Sequence, residues 1–231
     1  MNRLYFQNKN IYRIFGLLAS ISALMLTIAD YLLEFHQEYG VEVSQIVEQS
    51  WVYMPDWRFS TTIYLCSFFI PFYILGFYLL YKIISRTNKT LGLIVFFLFS
   101  YGVIMGSPLI HTTMSLNGVI YKFGILNNIS HNLMTELIVD KITKAITPVF
   151  IIHYLLTWIV TPSILFIYII RGKSELKKWM AFFNPLIFLL IGVGGLYLFP
   201  SIFRYLAPGA INKGNLALFI LVTIKCWNLD K

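Results

Sequence analysis

The chain has 231 residues, of which 58% are hydrophobic and only 12% charged, with a formal net charge of +8. Soluble domains carry about a quarter charged residues, so this deficit and a mean hydropathy of +0.73 exclude an ordinary water-soluble fold and point to an integral membrane protein. The basic residues fall in short clusters between apolar runs, which argues against nucleic acid as a partner and reads as a signal of membrane topology.

A span needs about twenty mostly apolar residues. That criterion predicts an all-α polytopic bundle of six transmembrane spans, at about 13–35, 60–84, 91–115, 146–170, 180–203 and 206–228, forming one integral membrane domain over residues 1–231. The first run follows Arg3, Lys9 and Arg13, as a signal peptide would. From Ile14 to Leu33 it exceeds the length of a typical cleaved apolar region, and no clear A-x-A site follows, so it reads as an uncleaved span. Asp30 and Glu34 stand one helical turn apart at its end. Asp30 shares a stripe with Ser22, Ala23 and Leu26, small residues that favour a helix-facing side, and is expected to point into the bundle. Glu34 is expected at the headgroup level, nearly free of partners.

The connection 36–59 is acidic. Within 41–54 the helical spacing of Val43, Ile46, Val47, Trp51 and Met54 predicts a short amphipathic helix on the outer surface. Pro55 then separates it from Arg58, which opens the second span. That span contains Cys66 and Pro71, the latter an expected kink. Cys66 and Cys226 make neither a disulfide framework nor a metal-ligand pattern. On the third span Ser100, Ser107, His111 and Ser115 share one stripe, and Pro108 within it frees the carbonyl of Ile104. Gly102 and Gly106 form a G-x-x-x-G that favours close helix packing. The connection 116–145 mixes charges. Ile129, Leu133, Leu137, Ile138 and Ile142 predict a second surface helix running into the fourth span. There His153 and Thr157 share a face, followed by Thr161-Pro162. Asn184 marks the start of the fifth span. The sixth opens with the polar, glycine-rich "APGAINKGN", which contains Asn212, Lys213 and Asn215. His36 and His131 fall in loops without convincing partners. The glycosylation-type triplets at Asn88 and Asn128 are discounted as chance matches.

Basic clusters recur on every other connection. By the positive-inside rule both termini then lie in the cytoplasm and the two long loops lie outside. With that topology Asp30, Arg58, His111, His153, Asn212, Lys213 and Asn215 all come to the outer half of the membrane, and the inner half is nearly purely apolar. Several polar groups at one depth imply an interior pocket with paired partners. Two readings of the pocket follow. As an enzyme site for a lipid or lipid-linked substrate, it would use His111 as general acid or base, Asp30 as its orienting carboxylate, and Ser107 or Ser115 as nucleophile. As a binding site it would take a small solute or a proton, for transport or sensing. A structural or assembly role without catalysis is the third alternative. Structural ion pairs of Asp30 with Arg58 or Lys213 are the plainer account of the charges. Two histidines with Asp30 are too few to assign a metal. No motif names a reaction or a cofactor, and the partners expected are the lipid bilayer and a lipid or small-molecule ligand.

The stretches "ASISALMLTIADYLLEF", "FIPFYILGFYLLY", "GVIMGSPLIHTTMS", "FFNPLIF" and "APGAINKGNLALFI" together resemble an uncharacterised bacterial multipass membrane family, a domain of unknown function. The resemblance implies a six-helix-type protein of the bacterial cytoplasmic membrane. It supplies no activity and carries over no catalytic residue.

Overall fold

The computed structural model describes residues 9–35, 48–129 and 135–227. Among these, every regular element is helical. α1 is Lys9–Glu34, α2 is the short Glu48–Tyr53, α3 is Asp56–Ile84 and α4 is Lys89–Leu126. α5 spans 135–170 and is α-helical except for wider π turns at Thr135–Val139 and Leu155–Val160. A 3-10 turn, Lys178–Phe182, leads to α6 at Pro185–Leu198. α7 is Pro200–Phe203 and α8 is Ala210–Trp227.

Among the described residues four helices are long and apolar enough to cross a bilayer: α1, α3, α4 and α5. Their exposed surface is compatible with lipid contact. On α1 the residues Ile11, Ile14, Leu17, Ile21, Leu24 and Ile28 form an exposed stripe at helical spacing. The opposite face buries Ala19, Ser22, Ala23, Leu26, Ala29, Asp30 and Leu33. A water-soluble helix does the reverse, burying large aliphatics and exposing carboxylates. α4 repeats the pattern outward with Ile94, Phe97, Tyr101 and Ile104.

The fifth and sixth predicted spans are shorter. The 180–203 segment is divided by its caps. Asn184 accepts a hydrogen bond from the Leu186 N–H at 2.9 Å and starts α6 at Pro185, and Phe199-Pro200 ends it. The resulting 14 residues extend about 21 Å at 1.5 Å per residue, less than the ~30 Å hydrocarbon core. α8 has 18 residues, and its first turns carry Asn212, Lys213 and Asn215. The third span is longer than predicted. α4 has 38 residues because nothing in 116–126 breaks it, and its extension packs Tyr121 with Trp51, Met54, Phe59 and Leu33. Asn88 caps α4, accepting from the Leu91 N–H at 2.9 Å. Of the predicted outer surface helices, Val43, Ile46, Val47 and Leu133 lie outside the described residues, as do His36 and His131. Of the second, Leu137 and Ile138 fall at the start of α5, where both are exposed and Val139 is buried.

The two ends of the bundle differ. At one end Tyr73, Phe77, Phe99 and Phe219 interlock, with Phe77 and Phe99 stacked at 4.5 Å, and Leu80, Ile84, Val95, Leu165, Ile169 and Val222 fill the space around them. The basic clusters sit beyond this plug. Arg13 lies over the Trp227 ring and Arg86 pairs with Glu175 at 2.8 Å. Cys66 and Cys226 are both buried and free. The opposite end is polar and holds a cavity.

Candidate functional site

The cavity has a volume of about 390 Å³. Its walls are apolar: Leu26 and Leu33 from α1, Val103, Ile110 and Met114 from α4, Leu189, Val193 and Leu196 from α6. Its polar lining is Asp30, Glu34, Tyr73, Ser107, His111, His153, Thr157, Asn212 and Asn215, with Tyr154 and Trp158 beside them. Thus Asp30, Ser107, His111, His153, Asn212 and Asn215 converge. Arg58, Ser115 and Lys213 do not line it.

A chain of hydrogen bonds ties four helices at the cavity floor. Thr62 on α3 donates its hydroxyl to the Ala29 carbonyl of α1 at 2.9 Å. Its only proton is thereby used, so His111 Nδ1, at 3.0 Å, is the donor to Thr62. His111 Nε2 then faces Asp30 Oδ1 at 3.3 Å. Two bare lone pairs would repel there, so a proton lies between them and the pair is neutral as a unit, whichever atom holds it. Asp30 Oδ2 accepts from Asn212 Nδ2 at 2.7 Å, and Asn212 Oδ1 accepts from the Tyr73 hydroxyl at 2.7 Å. Asp30 is 8% exposed.

The sequence gives Asp30 two plainer partners, and neither is used. Arg58 donates to the carbonyls of Leu32 at 2.8 Å and Tyr31 at 2.9 Å, and also to that of Phe35. These acceptors lie at the C-terminus of α1, where intrahelical donors run out; of the three, the Tyr31 carbonyl also accepts from the Phe35 N–H at 3.1 Å. Lys213 donates to the Tyr31 hydroxyl at 2.8 Å and to the Leu206 carbonyl at 2.6 Å. Glu34 also departs from expectation. It lines the cavity, partly buried, and accepts from the Gly209 backbone N–H. Gly209 has φ +66°, and a Cβ there would lie 3.1 Å from Asp30 Oδ2. Glycine is what lets the turn before α8 approach both carboxylates.

The serine roles change as well. Both His111 nitrogens are occupied by neighbouring helices, so the ring is not free to activate a hydroxyl. Ser107 pairs instead with Cys66 at 3.2 Å. Ser115 is buried away from the cavity, and its Oγ has no hydrogen-bond partner among the described residues. His153 donates Nδ1 to the Gly102 carbonyl at 2.8 Å, and a Cβ on Gly106 would lie 2.3 Å from its ring. The G-x-x-x-G is therefore the seat of α5 on α4. Directly after His153 the π turn Leu155–Val160 re-aims Thr157 and Trp158 toward the cavity ahead of Pro162. Sequence reasoning missed Glu34, Thr62, Tyr73, Tyr154 and Trp158. A tyrosine inside the phenylalanine-rich "FIPFYILGFY" was the one available signal for Tyr73. Among the described residues no group of three or more His, Cys, Asp or Glu side chains could hold a metal ion.

The chain belongs to a family of unknown function, DUF6796, whose model matches residues 1–228. No curated protein and no solved structure matches it.

Proposed function

We propose that the protein is an integral membrane protein that binds a lipid or lipid-linked amphiphile in this cavity. In this reading α6 and α8 complete a six-span bundle in the bacterial cytoplasmic membrane. The basic end lies in the cytoplasm with both termini, and the cavity opens in the outer leaflet half. One observation carries the reading: a cavity of about 390 Å³ whose walls are aliphatic and whose floor is a fully connected polar network. That division suits a ligand with an apolar chain and one polar end. The plug of stacked aromatics at the basic end offers no continuous polar route, which favours binding or chemistry over transport across the bilayer. Asp30 and Glu34 supply the carboxylates for acid–base chemistry on a bound ligand, and His111 and Asn212 fix Asp30 in place.

Native mass spectrometry of the purified full chain tests the proposal. Wild-type protein should retain a co-purified amphiphile. Leu189→Trp, which adds bulk to the cavity wall, should lose it, while Leu190→Trp on the exposed outer face should keep it. Loss in neither variant, or no retained amphiphile in wild type, would refute a ligand in this cavity.

A further inference from the structure

The cavity's unfilled valences narrow the polar end of its occupant, a step that rests on the amphiphile site proposed above. Among the described residues no lysine or arginine lines the cavity. Arg58 donates to the carbonyls ending α1, and Lys213 donates to Tyr31 and Leu206. The Asp30–His111 pair is neutral as a unit, because one proton lies between Nε2 and Oδ1. Glu34 lines the cavity with its carboxyl group, which accepts from the Gly209 backbone N–H and has acceptor capacity left for a ligand.

A second, independent feature points the same way. The Tyr73 proton goes to Asn212 Oδ1. Asn215 reaches the same Tyr73 hydroxyl, so it can only donate its NH₂ there. That orientation leaves Asn215 Oδ1 buried and without a hydrogen-bond partner among the described residues, on a side chain only 2% exposed that lines the cavity. A buried, unsatisfied amide oxygen is costly unless a ligand donor meets it. His153 adds a third acceptor. Its Nδ1 is spent on the Gly102 carbonyl, leaving an Nε2 lone pair. The Tyr154 and Trp158 rings, 4.1 Å apart between centroids, also line the cavity, and aromatic faces attract cations.

We propose that the cavity recognises an amphiphile through a protonated primary amine, with Glu34 and Asn215 Oδ1 receiving its N–H groups and Tyr154 and Trp158 flanking its first carbons. An ammonium has three donors and no acceptor, the complement of this lining. A phosphate or carboxylate end would bring further acceptors to a lining whose open valences are acceptors, and an alcohol would satisfy only one acceptor as donor.

The test uses the full chain in nanodiscs of amine-free phosphatidylglycerol, with dodecylamine, dodecanol and dodecyl phosphate as probes and Leu189→Trp as the blocked-cavity reference. Saturable binding is measured by calorimetry. One added charge-assisted hydrogen bond corresponds to about tenfold in affinity. Dodecylamine should therefore bind at least about tenfold tighter than either other probe. Glu34→Gln and Asn215→Leu should each bring it down toward the dodecanol value. Glu34→Gln is isosteric at a partly exposed position, so an unchanged melting temperature separates recognition from folding. Equal affinity for dodecanol, or tighter binding of the phosphate, overturns the amine assignment and leaves the amphiphile site standing. If no probe shows saturable binding that Leu189→Trp abolishes, both readings fall.

Discussion

Replacing Asp30 by leucine strikes the polar floor at its centre. In the folded chain the carboxylate holds His111 Nε2 at 3.3 Å and Asn212 Nδ2 at 2.7 Å. Asp30→Leu removes both acceptors and leaves buried His111 Nε2 and Asn212 Nδ2 without that partner. Breaking one side of a buried pair costs about 3–5 kcal/mol. An ordinary interhelical hydrogen bond in a membrane protein averages only ~0.6 kcal/mol. The two figures are far enough apart to decide what kind of contact this is. The companion variant His111→Leu should be comparably damaging. Combining them should cost less than their sum, because Thr62 keeps its bond to the Ala29 carbonyl and the His111–Asp30 contact is lost only once. The double variant should be less destabilised than the sum of the singles by about 1–3 kcal/mol. Glu34→Leu is the control. A partly buried carboxylate with one backbone donor should change stability by no more than about 1 kcal/mol. Unfolding of purified protein in mixed micelles, titrated with denaturing detergent and followed by circular dichroism, gives each value. Strict additivity of Asp30→Leu and His111→Leu, or equal effects of Asp30→Leu and Glu34→Leu, would refute the paired floor.

Four further outcomes are expected. Gly106→Leu should lower stability by about 1–3 kcal/mol through overpacking, since its Cβ would lie 2.3 Å from the His153 ring, whereas Gly194→Leu, with nothing within 4 Å, should be nearly silent in the same titration. Gly209→Ala should cost about 1–2 kcal/mol from its left-handed backbone alone, and the crowding of Asp30 should also weaken retention of the co-purified amphiphile. Arg58→Leu removes a donor from three carbonyls at the end of α1, of which that of Tyr31 keeps the Phe35 N–H. Losing charge-assisted bonds worth about 1.5–3 kcal/mol should speed hydrogen exchange in the last turn of α1 by about tenfold or more, read by mass spectrometry. In a background lacking Cys66 and Cys226, a cysteine at Asn127 should react with an impermeant thiol reagent in intact cells, and cysteines at Asn88 and Ser174 should not; the opposite pattern would reverse the topology.

What could be read from the sequence follows from the price of polarity in hydrocarbon. Polar side chains in a bilayer must turn inward, so the stripe Ser22, Ala23, Leu26, Asp30 identified the buried face of α1, and the stripe Ser100, Ser107, His111, Ser115 that of α4. Spacing of this kind fixes which face a residue occupies and says nothing of which neighbour meets it. Ser107 and His111 lie one turn apart, which reads as nucleophile and base, yet the imidazole is spent on α1 and α3 and the hydroxyl on Cys66. Arg58 reads as a counter-ion for Asp30 because its charge is legible and the carbonyls at the end of α1 are not. Glu34 reads as a headgroup carboxylate because its partner is a backbone N–H, and a backbone donor leaves no mark in side-chain identity. Its only trace is Gly209, whose positive φ permits the approach. The inward faces were therefore local facts, set by one helix against its solvent, whereas the partners were set by how helices distant in sequence meet. The same distinction explains why Asn215 matters. Nothing about an asparagine near the start of α8 marks it as a ligand contact, and the proposed amine site draws on it only because Tyr73, from α3, has given its single proton to Asn212 and left Asn215 with an oxygen that no donor among the described residues reaches.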